Sequence, residues 1–424
     1  MRSGETPGGL RYAVKRAGNA AAYCSLHIRC GTRCETGFNG GIAHFLEHTL
    51  FKGTRKRTAR SISSRLDRLG GELNAYTTKE EIVLHATVLK EDIDKALDLI
   101  LELATEATFP DAEIETERGV VIDEIISYKD NPPEDIYDTF DEMLFKGHPL
   151  GGRILGTRKS VSRISTEELR RFYRTFFVPG NMALTVVADL DEEVMERKIR
   201  REVDSRYKTG NDEEGTGKSV EGNRNGVEGN GNGTKGGVPT QVFHESRNRR
   251  NHEVNAILGG PAPSLYDGRD RITTAILMNL LGGPASNSIL GSILREKNGW
   301  VYNVECNYTQ YSDTGLFTIA FGCDKPNLQK CLDCISRELT KLREKPLSEA
   351  KMKAARKQLL GQLAISSDNG EAQCLSMGKS LQSFGRVFSY EENKAAVEAV
   401  TAADIQKMSL RLFDEGTLST LVFY

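Results

Sequence analysis

The sequence has no large excess of charge of either sign and no long apolar run. Its 424 residues carry 57 basic and 59 acidic side chains, for a formal net charge of -2 at pH 7. A balanced charge gives no broad attraction to nucleic acid or to a membrane surface, so we expect neither partner. No stretch approaches the roughly 20 apolar residues that a membrane-spanning helix needs. These absences favour an ordinary globular protein.

The eight cysteines lack the spacing of a secreted, disulfide-stapled domain. The N-terminal residues show neither the apolar core of a signal peptide nor the Arg- and Ser-rich composition of a transit peptide. We therefore expect a cytoplasmic protein with reduced thiols. Cys331 and Cys334 form the one CxxC pair, which suggests a metal or redox site. Their helical pattern favours packing in a core instead.

A segment rich in glycine and asparagine divides the chain. In residues 209–238, ten of the thirty residues are glycine and five are asparagine. Such a segment buries too little apolar surface to offset the entropy of ordering, so we predict a flexible linker. The length of the chain suits about two domains. The sequence therefore predicts a first domain over 1–208, the linker over 209–238, and a second domain over 239–424.

The two halves end in similar patterns, which suggests a duplicated domain. Ser165 and Thr401, about 236 residues apart, each precede a helix with an acidic residue three positions later, and an apolar strand follows. In the first half, helices separate the strands: we predict strands at 21–28 and 82–89, and helices at 41–51, 61–69, 93–107 and 111–128. This order favours an α+β fold of two similar domains, each a mixed β-sheet with helices packed mainly on one face. Chance similarity of two helix–strand units is the alternative.

The segment His44-Phe-Leu-Glu47-His48 carries the strongest chemical signal. Positions four apart lie on one face of a helix, so both imidazoles can reach one metal ion. Glu47 shares that face and is the candidate general base. The order His-x-x-Glu-His is that of the inverzincins, whose zinc motif is inverted. The alternative is a partly buried helix whose histidines bond to backbone carbonyls.

A catalytic zinc site needs a third protein ligand and one open coordination position. Glu117 and Glu124 lie on one face of the predicted helix 111–128, together with Val120 and Val121. Because carboxylates are seldom buried without a partner, this stripe suggests a cation. We predict that Glu124 is the third ligand and that Glu117 orients a ligand by hydrogen bonding. The alternative is a pair of carboxylates that faces solvent.

These motifs resemble the insulinase/pitrilysin peptidases, in particular the shorter two-domain branch similar to mitochondrial processing peptidase. The resemblance extends over nearly the whole chain apart from the linker, and further motifs lie at 40–48, 73–77, 148–151 and 171–181. In that family the third zinc ligand occupies the position of Glu124, and a characteristic acidic residue occupies that of Glu117. The resemblance implies one Zn²⁺ per chain, held by His44, His48 and Glu124.

The resemblance also assigns residues outside the metal motif. Arg295 and Tyr302 match an Arg–Tyr pair of the family, and such groups suit the oxyanion that forms when water attacks a carbonyl. From sequence alone, the natural alternatives are a core tyrosine at position 302 and a surface arginine at position 295, so the assignment of Arg295 and Tyr302 rests mainly on the resemblance. Asn74 and Ala75 match the stretch that pairs with the substrate backbone as an added strand. The loop at 281–284 matches the family's Gly-rich segment only loosely.

The resemblance implies a zinc-dependent endopeptidase that hydrolyses peptides or unfolded segments inside the chamber of a homodimer. In that arrangement the Arg–Tyr pair meets the metal of the partner subunit. The resemblance implies that bound zinc would lower the pKa of a water molecule toward neutrality and that Glu47 would accept its proton. The alternatives are a dedicated presequence-processing peptidase, a metal-binding regulator without catalysis, and a scaffold that has lost catalysis. The intact residues His44, Glu47, His48 and Glu124 argue against the scaffold.

Overall fold

The computed structural model describes residues 1–208, 237–249 and 252–424, so the predicted linker lies almost wholly outside the described residues. The described chain forms two compact units. The first comprises residues 1–126, 152–208 and 364–389, and the second comprises 127–151, the described residues from 237 to 363, and 390–424. One segment of each sequence half thus belongs to the other unit, and the limits 1–208 and 239–424 remain a prediction.

A six-stranded mixed sheet forms the frame of the first unit, in the order β1-β2-β6-β3-β5-β4. Its strands are β1 (Arg2–Glu5), β2 (Arg11–Arg16), β3 (Ala21–Ile28), β4 (Glu72–Thr77), β5 (Ile82–Leu89) and β6 (Met182–Ala188). Only β2 and β6 are parallel, and the other neighbours are antiparallel. The strand β4 lies at the edge, and among the described residues only β5 pairs with it.

The helices begin and end close to where periodicity predicts. The chain forms α1 (Ile42–Leu50), α2 (Ala59–Asp67), α3 (Ile93–Glu106), α4 (Asp111–Lys129), α5 (Pro132–Leu144), α6 (Arg158–Val161), α7 (Thr166–Phe176), α8 (Glu192–Lys208), α9 (Gly268–Gly282), α10 (Leu328–Glu344), α11 (Glu349–Asp368), α12 (Gly370–Phe384), α13 (Tyr390–Glu398) and α14 (Ala402–Leu412). The second helix starts two residues before its predicted position, because Thr58 caps it by accepting from Ser61 N. The predicted caps Ser165 and Thr401 are confirmed.

The second unit has a five-stranded sheet in the order β7-β11-β8-β10-β9. Its strands are β7 (His244–Arg247), β8 (Val254–Ala262), β9 (Val301–Gln310), β10 (Gly315–Cys323) and β11 (Ser419–Phe423). The strands β7 and β11 are parallel and the other neighbours are antiparallel, so this sheet is also mixed. Cys331 and Cys334 pack in the main core of this unit, as their helical pattern favours. The predicted fold class is confirmed.

Each sheet is covered on its second face by a helix from the other half of the sequence. In the first unit, Ala183 and Val187 of β6 pack against Cys374 and Met377 of α12. Alternate residues of a strand face opposite sides, so Leu184 and Val186 of β6 enter the main core. In the second unit, α5 packs in the same way on β8 and β11. This exchange places the segments 127–151 and 364–389 in their respective units.

Within the described residues, no helix has both the length and the apolar content needed to cross a membrane.

Candidate metal centre

The helix α1 carries both motif histidines on one face and core residues on the other. Ile42, Phe45 and Leu46 are fully buried in the main core of the first unit. The rings of His44 and His48 lie one turn apart, with centroids separated by 4.6 Å. The spacing of four residues therefore brings the two imidazoles side by side, as periodicity predicts.

The carboxylate of Glu124 on α4 closes a three-residue cluster with these imidazoles. Its Oε2 lies 3.4 Å from His48 Nε2 and 3.8 Å from His44 Nε2. One ligand atom from each residue lies within 4.8 Å of the others, and no other group of this kind occurs among the described residues. The structure thus brings together the three residues predicted as ligands.

These distances fit a tetrahedral zinc site. Ligand atoms about 2.0–2.2 Å from a tetrahedral ion stand roughly 3.3 Å apart, close to the separations in this cluster. Two imidazoles and one carboxylate also form the donor set of a known class of catalytic zinc sites. The residues present therefore fit the ion that the sequence implies.

The orientation of His48 is fixed by Glu117. Its Nδ1 lies 2.8 Å from Glu117 Oε1, which turns Nε2 toward Glu124. Glu117 is buried, and Lys52 Nζ lies 2.5 Å from its second oxygen. Burial lowers the pKa of His48, but hydrogen bonds to Glu124 and Glu117 outweigh burial and raise it overall. The hydrogen bond from His48 holds the pKa of Glu124 below its usual value.

His44 lies deeper than His48. Burial, reinforced by the neighbouring His48, lowers the pKa of His44 to about 4. The ring is therefore neutral at pH 7, which is the state in which an imidazole binds a metal. Its Nδ1 is buried and has no hydrogen-bond partner among the described residues.

Glu47 is linked to the edge strand of the sheet. Thr77 Oγ1 donates a hydrogen bond of 2.6 Å to Glu47 Oε2. Burial raises the pKa of Glu47 above its usual value, in part against the hydrogen bond from Thr77. Asn74 and Ala75 lie on the same strand, β4, which contacts α1. The predicted base and the predicted substrate-binding residues thus belong to neighbouring elements of one unit.

Arg295 and Tyr302 belong to the second unit. Tyr302 on β9 is 57% exposed, so the alternative of a core tyrosine is wrong. Its hydroxyl donates to Asp324 Oδ1 at 2.7 Å. Arg295 lies on a π-helical turn, Gly291–Lys297. Its side chain lines a pocket of about 300 Å³ whose wall includes the Gly-Gly-Pro loop at 282–284.

Sequence reasoning missed three residues that contact the side chains of this centre or the helix α1 that carries them. Lys52 contacts Glu117, Thr77 contacts Glu47, and Glu35 accepts from the first turn of α1. Lys52 follows the motif by one helical turn, so its position four residues after His48 was an available signal. The motif at 73–77 contains Thr77 but does not indicate its contact with Glu47, which lies 30 residues earlier in the chain. Glu35 lies outside the usual capping position, so no capping pattern marks it.

The sequence matches two family descriptions over most of its length. Residues 11–158 match "Insulinase (Peptidase family M16)" and residues 163–359 match "Peptidase M16 inactive domain". The first match contains all the residues of the metal cluster, and the second contains the Arg–Tyr pair.

Similar proteins agree with these matches. A protein named as an uncharacterized zinc protease from Streptomyces coelicolor is 29% identical, covering 96% of this chain and 86% of its own length. Another, from Bacillus subtilis, is 27% identical, covering 93% of this chain and 91% of its own. A protease structure from Helicobacter pylori shares the fold with a TM-score of 0.86 at 18% identity, covering 100% of this chain and 98% of its own. A Pseudomonas fluorescens structure described as a peptidase M16 inactive domain has a TM-score of 0.84 at 17% identity. That match covers 100% of this chain and 97% of the Pseudomonas chain. The chain therefore belongs to the insulinase family of peptidases, family M16.

Proposed function

We propose that this chain is a zinc-dependent endopeptidase that hydrolyses peptides or unfolded polypeptide segments. The observation that carries the proposal is the convergence of His44 Nε2, His48 Nε2 and a Glu124 oxygen. The carboxylate of Glu47 lies near enough to interact electrostatically with His48 and Glu124. Family membership and the zinc proteases among the similar proteins support the same chemistry.

His44, His48 and Glu124 hold one zinc ion per chain in this proposal. When bound, the ion supplies Lewis-acid polarisation of the scissile carbonyl and acidifies water near neutral pH. Glu117 keeps His48 in the tautomer that presents Nε2 to the centre. Lys52 neutralises the buried charge of Glu117.

Glu47 is the general base and the proton carrier. Its Oε2 is held by Thr77, so Oε1 is the atom that takes a proton from water and delivers it to the leaving amine. Proton transfer by a positioned side chain contributes about 10²–10⁴-fold to a rate. Loss of this carboxylate therefore removes most of the activity while it leaves the three metal ligands in place.

The peptide substrate pairs with β4 in this proposal. An edge strand presents unpaired backbone donors and acceptors, and an extended peptide can add to it as a further strand. Asn74 and Ala75 lie in the middle of β4. Because Thr77 of the same strand bonds to Glu47, a peptide on this strand passes close to the base.

Arg295 and Tyr302 stabilise the oxyanion of the tetrahedral intermediate in this proposal, acting on the metal centre of the partner subunit of a homodimer. A guanidinium and a phenol hydroxyl both donate to a developing negative charge. Both side chains are exposed in the single chain, which is the state required of groups that act on a partner.

The test is hydrolysis of a quenched peptide library by the purified chain, with and without a chelator. We expect turnover that the chelator abolishes and zinc restores. Glu47→Gln should retain zinc and lose about 10²–10⁴-fold in kcat. Full turnover by metal-loaded Glu47→Gln contradicts the base assignment, and turnover that survives complete metal removal contradicts the proposed function.

A further inference from the structure

The helix α1 begins without a cap of its own. The residue at its N-cap position is Gly41, which has no side chain and adopts a left-handed φ of +87°. The first N–H groups of a helix have no partner within the helix and need acceptors from elsewhere. Glu35 supplies two of them, since its Oε2 accepts from Gly41 N at 2.9 Å and its Oε1 accepts from Ala43 N at 3.0 Å.

Packing explains why the acceptor is Glu35, six residues before Gly41, and not the residue at the N-cap position itself. A Cβ atom at position 41 would lie 2.7 Å from Leu155 O, and one on Gly156 would lie 2.5 Å from Gly40 O. Serine, threonine, aspartate or asparagine, the usual capping residues, therefore cannot stand at position 41. The acceptor must reach in from outside the helix, and both oxygens of one carboxylate do so.

The choice of a carboxylate is costly for stability. Burial raises the pKa of Glu35 to about 7, against the hydrogen bonds from Ala43 and Gly41 that favour the ionised form. A neutral acceptor avoids this penalty but offers only one oxygen to two N–H groups. The bidentate contact fixes the first turn of α1 more tightly than a single bond does.

We infer that Glu35 is a positioning residue for the metal centre, because it holds the turn that precedes His44. The inference rests on the proposed zinc site. Ala43 N, one of the two bonded groups, belongs to the residue directly before the first predicted ligand. A first turn that frays lets His44 move relative to His48, and ligand atoms must stay within a few tenths of an ångström of their sites.

The experiment compares zinc affinity and stability for Glu35→Gln. Zinc affinity is measured by competition with a chromophoric chelator, and Tm is measured on the metal-free protein. We expect the folded variant to bind zinc about tenfold or more weakly, in the range seen when supporting residues of metal sites are replaced. A role in overall stability alone lowers Tm and leaves the affinity of the folded protein unchanged, which would overturn the inference.

Glu168→Gln is the matched control. Glu168 accepts from the backbone and side-chain nitrogens of Asn39 in the same loop, at 2.7 and 2.8 Å, but touches no N–H of α1. We expect Glu168→Gln to lower Tm but to change the zinc affinity by less than about twofold, because Glu168 bonds to no N–H group of the helix that carries the ligands. If both variants weaken zinc binding equally, the effect comes from the loop as a whole, and the role of Glu35 is overturned.

Two further results keep the inference separate from the proposed function. Absence of zinc binding by the wild-type chain contradicts the metal centre itself, whereas equal binding by wild type and Glu35→Gln contradicts only the inference. If Glu35→Gln does not fold, the inference is tested by amide hydrogen exchange in the metal-free wild-type protein. We expect protection of the Gly41 and Ala43 amides, and exchange at the rate of an open chain overturns the inference.

Discussion

Glu117 Oε1 lies 2.8 Å from His48 Nδ1, and the same carboxylate contacts Lys52 through its other oxygen. A chain of polar contacts thus runs from a half-buried lysine through a buried glutamate to a half-buried predicted metal ligand. Carboxylates in this position fix the ring and raise its basicity. The contact also brings together residues from α1 and α4, the two helices that supply the predicted ligands.

Glu117→Gln should weaken zinc binding about 10–100-fold, because the amide no longer carries the charge that orients and polarises His48. Competition with a chelator of known affinity measures the change. Glu115→Gln is the control, since that side chain lies two residues earlier on the same helix, is exposed and pairs with Arg118. Wild-type affinity in Glu117→Gln would show that the contact does not support the centre.

Thr77→Val should lower kcat more than it changes KM. The substitution keeps the shape of the side chain and removes the hydroxyl that donates to Glu47. We expect about a tenfold loss in kcat with zinc content unchanged, as for one misplaced catalytic hydrogen bond. Thr77→Ser restores the hydroxyl and should recover most of the rate. A change in KM alone would assign Thr77 to substrate binding only.

Mixing two inactive variants tests the proposed dimer. Glu47→Gln and Tyr302→Phe chains, co-expressed and purified together, form mixed dimers. If Arg295 and Tyr302 act on the partner's centre, one site of each mixed dimer carries neither substitution. Random pairing then restores about a quarter of wild-type activity. If a sample shown to contain mixed dimers recovers no activity, then Arg295, Tyr302 and Glu47 of one chain act in the same site.

Stability should fall with rising pH because of Glu35. Burial raises its pKa from 4.5 to about 7, so between these values the folded state holds a proton that the unfolded state has released. The slope of unfolding free energy against pH is therefore negative in this window. The full shift corresponds to about 3 kcal/mol at most.

Chemical denaturation of metal-free protein at pH 5 and pH 8 measures this effect. Glu35→Gln lacks the titrating group, so wild type should lose stability relative to the variant as the pH rises. Other groups titrate in both proteins and cancel in the difference. A wild-type stability that rises relative to Glu35→Gln over this range indicates a lowered pKa at Glu35.

Local periodicity accounts for what the sequence could predict. The strands at 21–28 and 82–89 and the helices at 93–107 and 111–128 are found within one residue of their predicted limits. The facing positions of His44, His48 and Glu124 also follow from helical spacing, once the two helices are known to pack together. Helical spacing does not predict that the two helices pack together; the family resemblance does.

Contacts between distant segments account for what the sequence could not predict. The helices α5 and α12 each bury one face, but no pattern in the sequence states that each covers the sheet of the other half. Glu35 sits in a loop, and its role depends on the close approach of Gly41 to Leu155. A single sequence carries no periodic signal for contacts of this kind.

The zinc content of purified Glu124→Gln tests the central claim most directly, measured by elemental analysis beside wild type and the neighbouring exposed variant Asp123→Asn. Three converging ligands predict about one zinc per chain in wild type and in Asp123→Asn. We expect Glu124→Gln to retain only a small fraction of that zinc after dialysis against a weak chelator. Wild-type zinc content in Glu124→Gln would contradict the account, because the metal would then be held without the carboxylate from α4.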